Sequence, residues 1–164
     1  MSGHTTLQSP ALIWHNRSWR LLALGEGRWC VEISGEQLKA YLERHVLPQV
    51  QSPLQYLGGE LNSIRKEHAR HPGKLCLAFP DTYSIGMSHH GLQVLYTLMN
   101  EKEGWLCERA FTPLPDMEQA LRREGLPLYS LESFTPLHHF DVFGFTLQYE
   151  VCYPNMLTML DLGK

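Results

Sequence analysis

Between Gly73 and Pro80 the chain runs apolar almost without interruption, Lys74 to Phe79, the pattern of a strand covered on both faces. Pro80 to His90 then reads as a loop, with Ser88 placed to cap a helix over Gly91 to Asn100. Leu92, Val94, Leu95, Leu98 and Met99 make that helix apolar on most of its circumference, and Gly104 suits its stop. Trp105 to Thr112 is a weaker strand. Asp116-Met117-Glu118-Gln119 has the spacing of a capping box ahead of a helix whose inner face is Met117, Ala120 and Leu121, with Gly125 just past its end. Leu126 to Leu131 is a candidate short edge strand, Phe140 to Leu147 a third good strand, and Pro154 to Leu162 a last helix with proline in its first turn. Three strand-and-helix units in succession predict a parallel sheet with crossover helices. Sheets of that kind usually carry five or six strands, so a Rossmann-like α/β domain cut short after its third β-α unit is the expectation.

Upstream the periods differ. Trp19 to Leu24 and Trp29 to Ile33 are short apolar runs on either side of Gly25-Glu26-Gly27, a β-hairpin signature. Ser34-Gly35-Glu36-Gln37 is a capping box, and Leu38, Tyr41, Leu42, His45 and Val46 recur at helical spacing until Pro48. From there to Gly73 the chain is punctuated by Pro53, Gly58-Gly59 and Pro72, with a short helix expected over Leu61 to Ala69. The expected organisation is an N-terminal extension of hairpin and amphipathic helix (1–47), a wrapping linker (48–73) and the incomplete α/β domain (74–164).

Composition narrows the function. A chain of 164 residues that is 43% hydrophobic and 19% charged is that of an ordinary globular protein. Its formal net charge of -3, with no cluster of Lys and Arg, argues against direct nucleic-acid binding. There is no apolar run long enough for a membrane span, and Met-Ser-Gly-His-Thr-Thr does not begin as a secretory signal does, so the cytoplasm is the expected compartment. Cys30, Cys76, Cys107 and Cys152 are too widely spaced for a cluster loop and read as buried thiols. The pairs His68/His71, His89/His90 and His138/His139 read as surface or loop residues rather than a metal site. Neither a Gly-x-Ser-x-Gly nucleophile nor a P-loop is present.

Ligands of open α/β sheets sit beyond the C-terminal strand ends, which selects the loops Pro80 to His90, Pro113 to Pro115 and Gln148 to Tyr153. The first holds Asp81, Tyr83, Gly86 and Ser88 and runs into Gly91, two glycines and a hydroxyl able to cradle an anionic group or turn a chain into a helix. In the third, Glu150 after Gln148-Tyr149 is placed to accept from a ribose or amine. Gly58-Gly59-Glu60, with Asn62 and Arg65, could reach across the same sheet end.

Three stretches carry a resemblance: YLGGELNSIRK, FPDTYSIGMSHHGLQVLY and FDVFGFTLQYEVCYPNMLTMLDL. Together, over roughly residues 47–162, they resemble the N-terminal region of a radical S-adenosylmethionine protein family whose first domain resembles cobalamin-binding domains of the flavodoxin-like type. Those domains carry Asp-x-His-x-x-Gly after the first strand, the His binding cobalt from below, and Ser-x-Leu after the third. Here Asp81-x-Tyr83-x-x-Gly86 and Thr146-x-Gln148 stand in those places. A neutral phenol, with a pKa of about 10, is a poor cobalt ligand. The resemblance therefore implies either cobalamin bound without a protein ligand or a fold that has kept its shape and lost the cofactor. The resemblance (Asp81, Tyr83, Gly86, Thr146, Gln148) and the loop positions (Ser88, Gly91, Glu150) together give the expected cofactor-binding set, with no catalytic or metal residue. The Cys-x-x-x-Cys-x-x-Cys loop that radical chemistry needs for [4Fe-4S] and S-adenosylmethionine is absent, and is expected in a following radical SAM domain. The chain then serves as an accessory domain that positions substrate or a corrinoid. A docking module and a flavodoxin-like domain binding a phosphorylated ligand at the Pro80 to Gly91 loop remain as alternatives.

Overall fold

The computed structural model describes residues 33–163 in full and the backbone of 21–24 and 28–31. The chain divides into two compact units, Met1–Glu32 and Ile33–Lys164. In the first, β1 (Leu21–Leu24) and β2 (Arg28–Val31) pair antiparallel with Leu21 opposite Val31, the predicted hairpin. The apolar residues before Leu21, the Gly25-Glu26-Gly27 turn and the Cys30 side chain lie outside the described residues.

The second unit opens with α1 (Gly35–Tyr41), which continues through a π-helical turn, Leu42–Val46, and a 3-10 turn, Leu47–Gln49. Ser34 starts it as the sequence predicts: its hydroxyl accepts from the Gln37 amide at 3.3 Å, and the Gln37 side chain accepts from the Ser34 amide at 3.1 Å. Leu38, Leu42 and Val46, four residues apart, are its buried stripe. The linker that follows is mostly irregular. The predicted helix over Leu61 to Ala69 does not form, because the Ile64 amide is taken by the Tyr96 hydroxyl at 2.7 Å and only His68–Arg70 makes a 3-10 turn.

The α/β core consists of β3 (Gly73–Phe79), α2 (Tyr83–Ser88), α3 (His90–Glu101), β4 (Trp105–Phe111), α4 (Pro115–Glu124), β5 (Val142–Phe145) and α5 (Cys152–Leu162). The sheet is all-parallel with order β4-β3-β5, and Leu77 sits opposite both Arg109 and Gly144. With the first strand central and the second and third on its two sides, this is the flavodoxin-like order of an open α/β sheet, and its topological switch point lies between β3 and β5. Leu75, Leu77 and Phe79 pack with Leu92, Tyr96, Cys107 and Phe111 on one sheet face. Buried Asn100 fastens the end of α3 to β4, donating to the Tyr96 and Cys107 carbonyls at 3.1 and 2.9 Å and accepting from the Cys107 amide at 3.1 Å.

Several local expectations change. Leu126 to Leu131 forms no strand; Tyr129 makes one bridge to Pro136, and the Leu131 amide donates to the Arg109 carbonyl at the edge of β4. Pro115 takes the first position of α4, so Asp116 is inside the helix and its carboxylate accepts instead from the Gln51 amide at 2.7 Å. Gly125 does close α4, in the left-handed conformation at φ 65°. Residues Tyr83–Ser88 of the predicted loop form a short helix, and Ser88 donates back to the Ser84 carbonyl at 2.9 Å, leaving His89 to cap α3 through Nδ1. α3 is buried on one side only: Leu92 and Tyr96 face the sheet while Val94, Leu95 and Leu98 are exposed. Among the described residues no helix is long and apolar enough to cross a membrane.

Candidate functional site at the C-terminal end of the sheet

At the switch point Asp81 ties three strand ends together. Its carbonyl accepts from the Thr112 amide after β4 at 3.0 Å, its Oδ1 accepts from the Thr82 amide at 2.7 Å, and its Oδ2 accepts from the Tyr149 hydroxyl after β5 at 2.7 Å. Next to it, Asn155 of α5 donates to the Pro80 carbonyl at 3.0 Å. The bond to Asp81 is also the main reason that the Tyr149 phenol is pushed up to about 12. Tyr149 stands exposed beside Asp81 as a neutral phenol whose one hydroxyl proton is given to that carboxylate.

The predicted residues distribute unevenly around this centre. Thr146 continues the ladder, its amide donating to the Ala78 carbonyl at 3.3 Å, and its hydroxyl is buried with no partner. Gln148 and Glu150 are exposed beside Tyr149. Tyr83 leans edge-on against Phe111 and donates to Glu60 at 3.1 Å. Gly86 is buried, and a Cβ there would lie 2.3 Å from the Phe111 ring, so its smallness serves packing between α2 and the sheet. Ser88 ends α2, about 9 Å of helix beyond its start next to Asp81, and Gly91 lies in the first turn of α3.

Reasoning from sequence placed Tyr149 in a candidate loop but gave the role there to Glu150, and it missed Asn155; both show their contacts only when the strand ends come together. It also missed Arg109. That residue is 1% exposed on β4, its Nε bonds Glu132 at 2.7 Å, its Nη1 bonds Gln93 at 3.0 Å, and its guanidinium lies 4.2 Å from the Tyr96 ring. Glu60 of the Gly58-Gly59 turn does reach this sheet end, while Asn62 and Arg65 remain exposed. The signal was present as Glu108-Arg109, two charges in succession inside an apolar strand. Glu108, pointing to the other face, binds His68 at 2.8 Å and Ser133 at 2.6 Å.

The loop residues do not fit a cobalt ligand role. Tyr83 holds the position in question, its hydroxyl is engaged by Glu60, and burial raises its pKa, which keeps it a neutral phenol. Among the described residues no group of three or more His, Cys, Asp or Glu could hold a metal ion. Cys76, Cys107 and Cys152 are buried free thiols, with Cys107 pushed up to about 12 by burial.

Compared with known protein families, residues 91–164 match the one described as radical SAM proteins, N-terminal. This stretch covers α3 through α5 and supports an N-terminal region of a radical SAM protein. No curated protein and no solved structure matches the chain.

Proposed function

We propose that this chain is the N-terminal accessory domain of a radical SAM iron-sulfur protein, and that its switch-point loops position substrate for a catalytic domain elsewhere in the parent protein. The observation that carries this reading is the Asp81 junction, which locks three strand ends and holds the exposed Tyr149 with its proton given to Asp81 and its hydroxyl oxygen left at the surface as an acceptor. The family match supports the setting: [4Fe-4S] and S-adenosylmethionine belong to the catalytic domain, whose three-cysteine loop this sequence lacks. In this reading Asp81, Thr146, Gln148 and Glu150 face the ligand directly, Tyr83 and Gly86 support the loop from beneath, and Ser88 and Gly91 border it. The cytoplasm is the proposed compartment.

Tyr83 is not free to ligate cobalt, so a corrinoid in this place would be held without a protein ligand, and substrate is the simpler reading. The experiment uses the parent protein with Tyr149→Phe and Asp81→Asn. Substrate should stimulate reductive cleavage of S-adenosylmethionine several-fold less in both variants, while cleavage without substrate and the cluster spectrum stay unchanged. Equal stimulation in all three proteins would refute a positioning role. Mixing the chain with hydroxocobalamin and desalting tests the corrinoid reading directly: a retained visible spectrum would replace substrate by corrinoid as the ligand.

A further inference from the structure

The contact between Glu60 and Arg109 is incomplete. Glu60 Oε2 and Arg109 Nη2 face each other at 3.8 Å, both are buried, and neither has a hydrogen-bond partner. A charge-assisted pair built for stability closes to about 2.8 Å and is often bidentate. A buried guanidinium N–H left unmade is costly. The other Glu60 oxygen, Oε1, accepts from the Tyr83 hydroxyl at 3.1 Å. Two donors from different elements, the Tyr83 hydroxyl at the start of α2 and the Arg109 guanidinium on β4, therefore converge on a single carboxylate. Planar carboxylate recognition uses this donor set.

The carboxylate is carried on a glycine turn that is anchored at Gly58, where a Cβ would lie 2.2 Å from the Leu131 carbonyl oxygen, and open at Gly59. Gly58 and Gly59 precede it at φ 62° and 88°, both in the left-handed region, and nothing lies within 4 Å of where a Gly59 Cβ would be. Leu61, just after it, is 99% exposed. The Glu60 side chain itself is 15% exposed, so its departure opens the two donors to solvent.

We propose that Tyr83 and Arg109 form a recognition site for a small-molecule carboxylate, and that Glu60 occupies this site as an intramolecular plug carried on the Gly58-Gly59 turn. Exchange of one carboxylate for another leaves the buried charge balance with Arg109 and Glu132 unchanged, which avoids the cost of stranding a buried cation. The site lies on the β3–β4 side of the sheet, with Tyr83 two residues along the chain from Asp81.

The test uses the full 164-residue chain with acetate as the probe, against chloride at equal ionic strength. Acetate should accelerate hydrogen exchange of the amides of residues 58–66 several-fold in the wild-type protein, because it displaces Glu60. In Glu60→Ala it should raise Tm by several degrees more than in wild type, and adding Tyr83→Phe should remove most of that gain. If exchange in the wild-type chain is the same in acetate and chloride, the contact is a fixed ion pair and the proposal is overturned, whether or not the Glu60→Ala variant folds.

Discussion

Glu132 shows how the surroundings of one residue set its chemistry. Its carboxylate accepts from the Arg109 amide and Nε, both at 2.7 Å, yet it is almost wholly shielded from water. Burial pushes its pKa up to about 7, with Arg109 pulling the other way. In the unfolded chain a glutamate titrates at about 4.3, so between these values the folded state holds more proton than the unfolded one. The stability contributed by this proton is complete below the unfolded pKa and is lost as pH rises through the folded one. We predict that the urea midpoint falls as pH is raised from about 4 to about 7, and that Glu132→Gln flattens the slope. A midpoint that rises across this window would show Glu132 to be ionised throughout by Arg109. Neither the depth of Glu132 nor its partner was readable from the sequence, where Leu131-Glu132-Ser133 is an ordinary loop; both follow from Leu131 docking against β4.

At the scale of elements, those set by local rules were readable in advance. Ser34 and Gln37 form the capping box that their spacing predicts, and Gly125 takes the left-handed cap after α4. We predict that Ser34→Ala costs about 1 kcal/mol, seen as faster hydrogen exchange over residues 35–40 with β3 and β4 unaffected. Loss of protection throughout the sheet would instead mean that the cap supports the whole fold. Elements whose partners are distant were less readable. Ser88 has the right residue type for a cap, but α2 forms ahead of it and turns its hydroxyl back on Ser84. Tyr96 shows the same effect in the linker, where its hydroxyl takes the Ile64 amide that a local helix needs.

For the molecule as a whole, β5 is the less covered of the two edge strands of the core sheet, since Leu131 bonds the edge of β4. It pairs with β3 on one side, no described strand pairs with its other side, and Val142 is exposed. On α3 Val94, Leu95 and Leu98, and on α5 Leu157 and Leu160, add further exposed apolar side chains. An open strand edge with apolar neighbours favours association. We predict that the isolated chain self-associates with rising concentration, and that Val142→Lys together with Leu157→Lys delays this at unchanged Tm. Sedimentation showing the same association in the double variant would place the contact elsewhere.

The sequence by itself determined the number, kind and order of the core units, because uninterrupted apolar runs and helical periods are properties of neighbouring residues. It also located the loop around Asp81, since parallel topology fixes which strand ends can meet a ligand. Tertiary structure decided which residues meet there. Asp81 and Tyr149 are far apart in the chain and join only because β5 lies beside β3, and Glu60 reaches Arg109 only because the linker runs along β4, from Tyr56 at Leu114 to Lys66 at Trp105. Such contacts depend on strand order and on side chains oriented from separate elements, and no local pattern encodes either one.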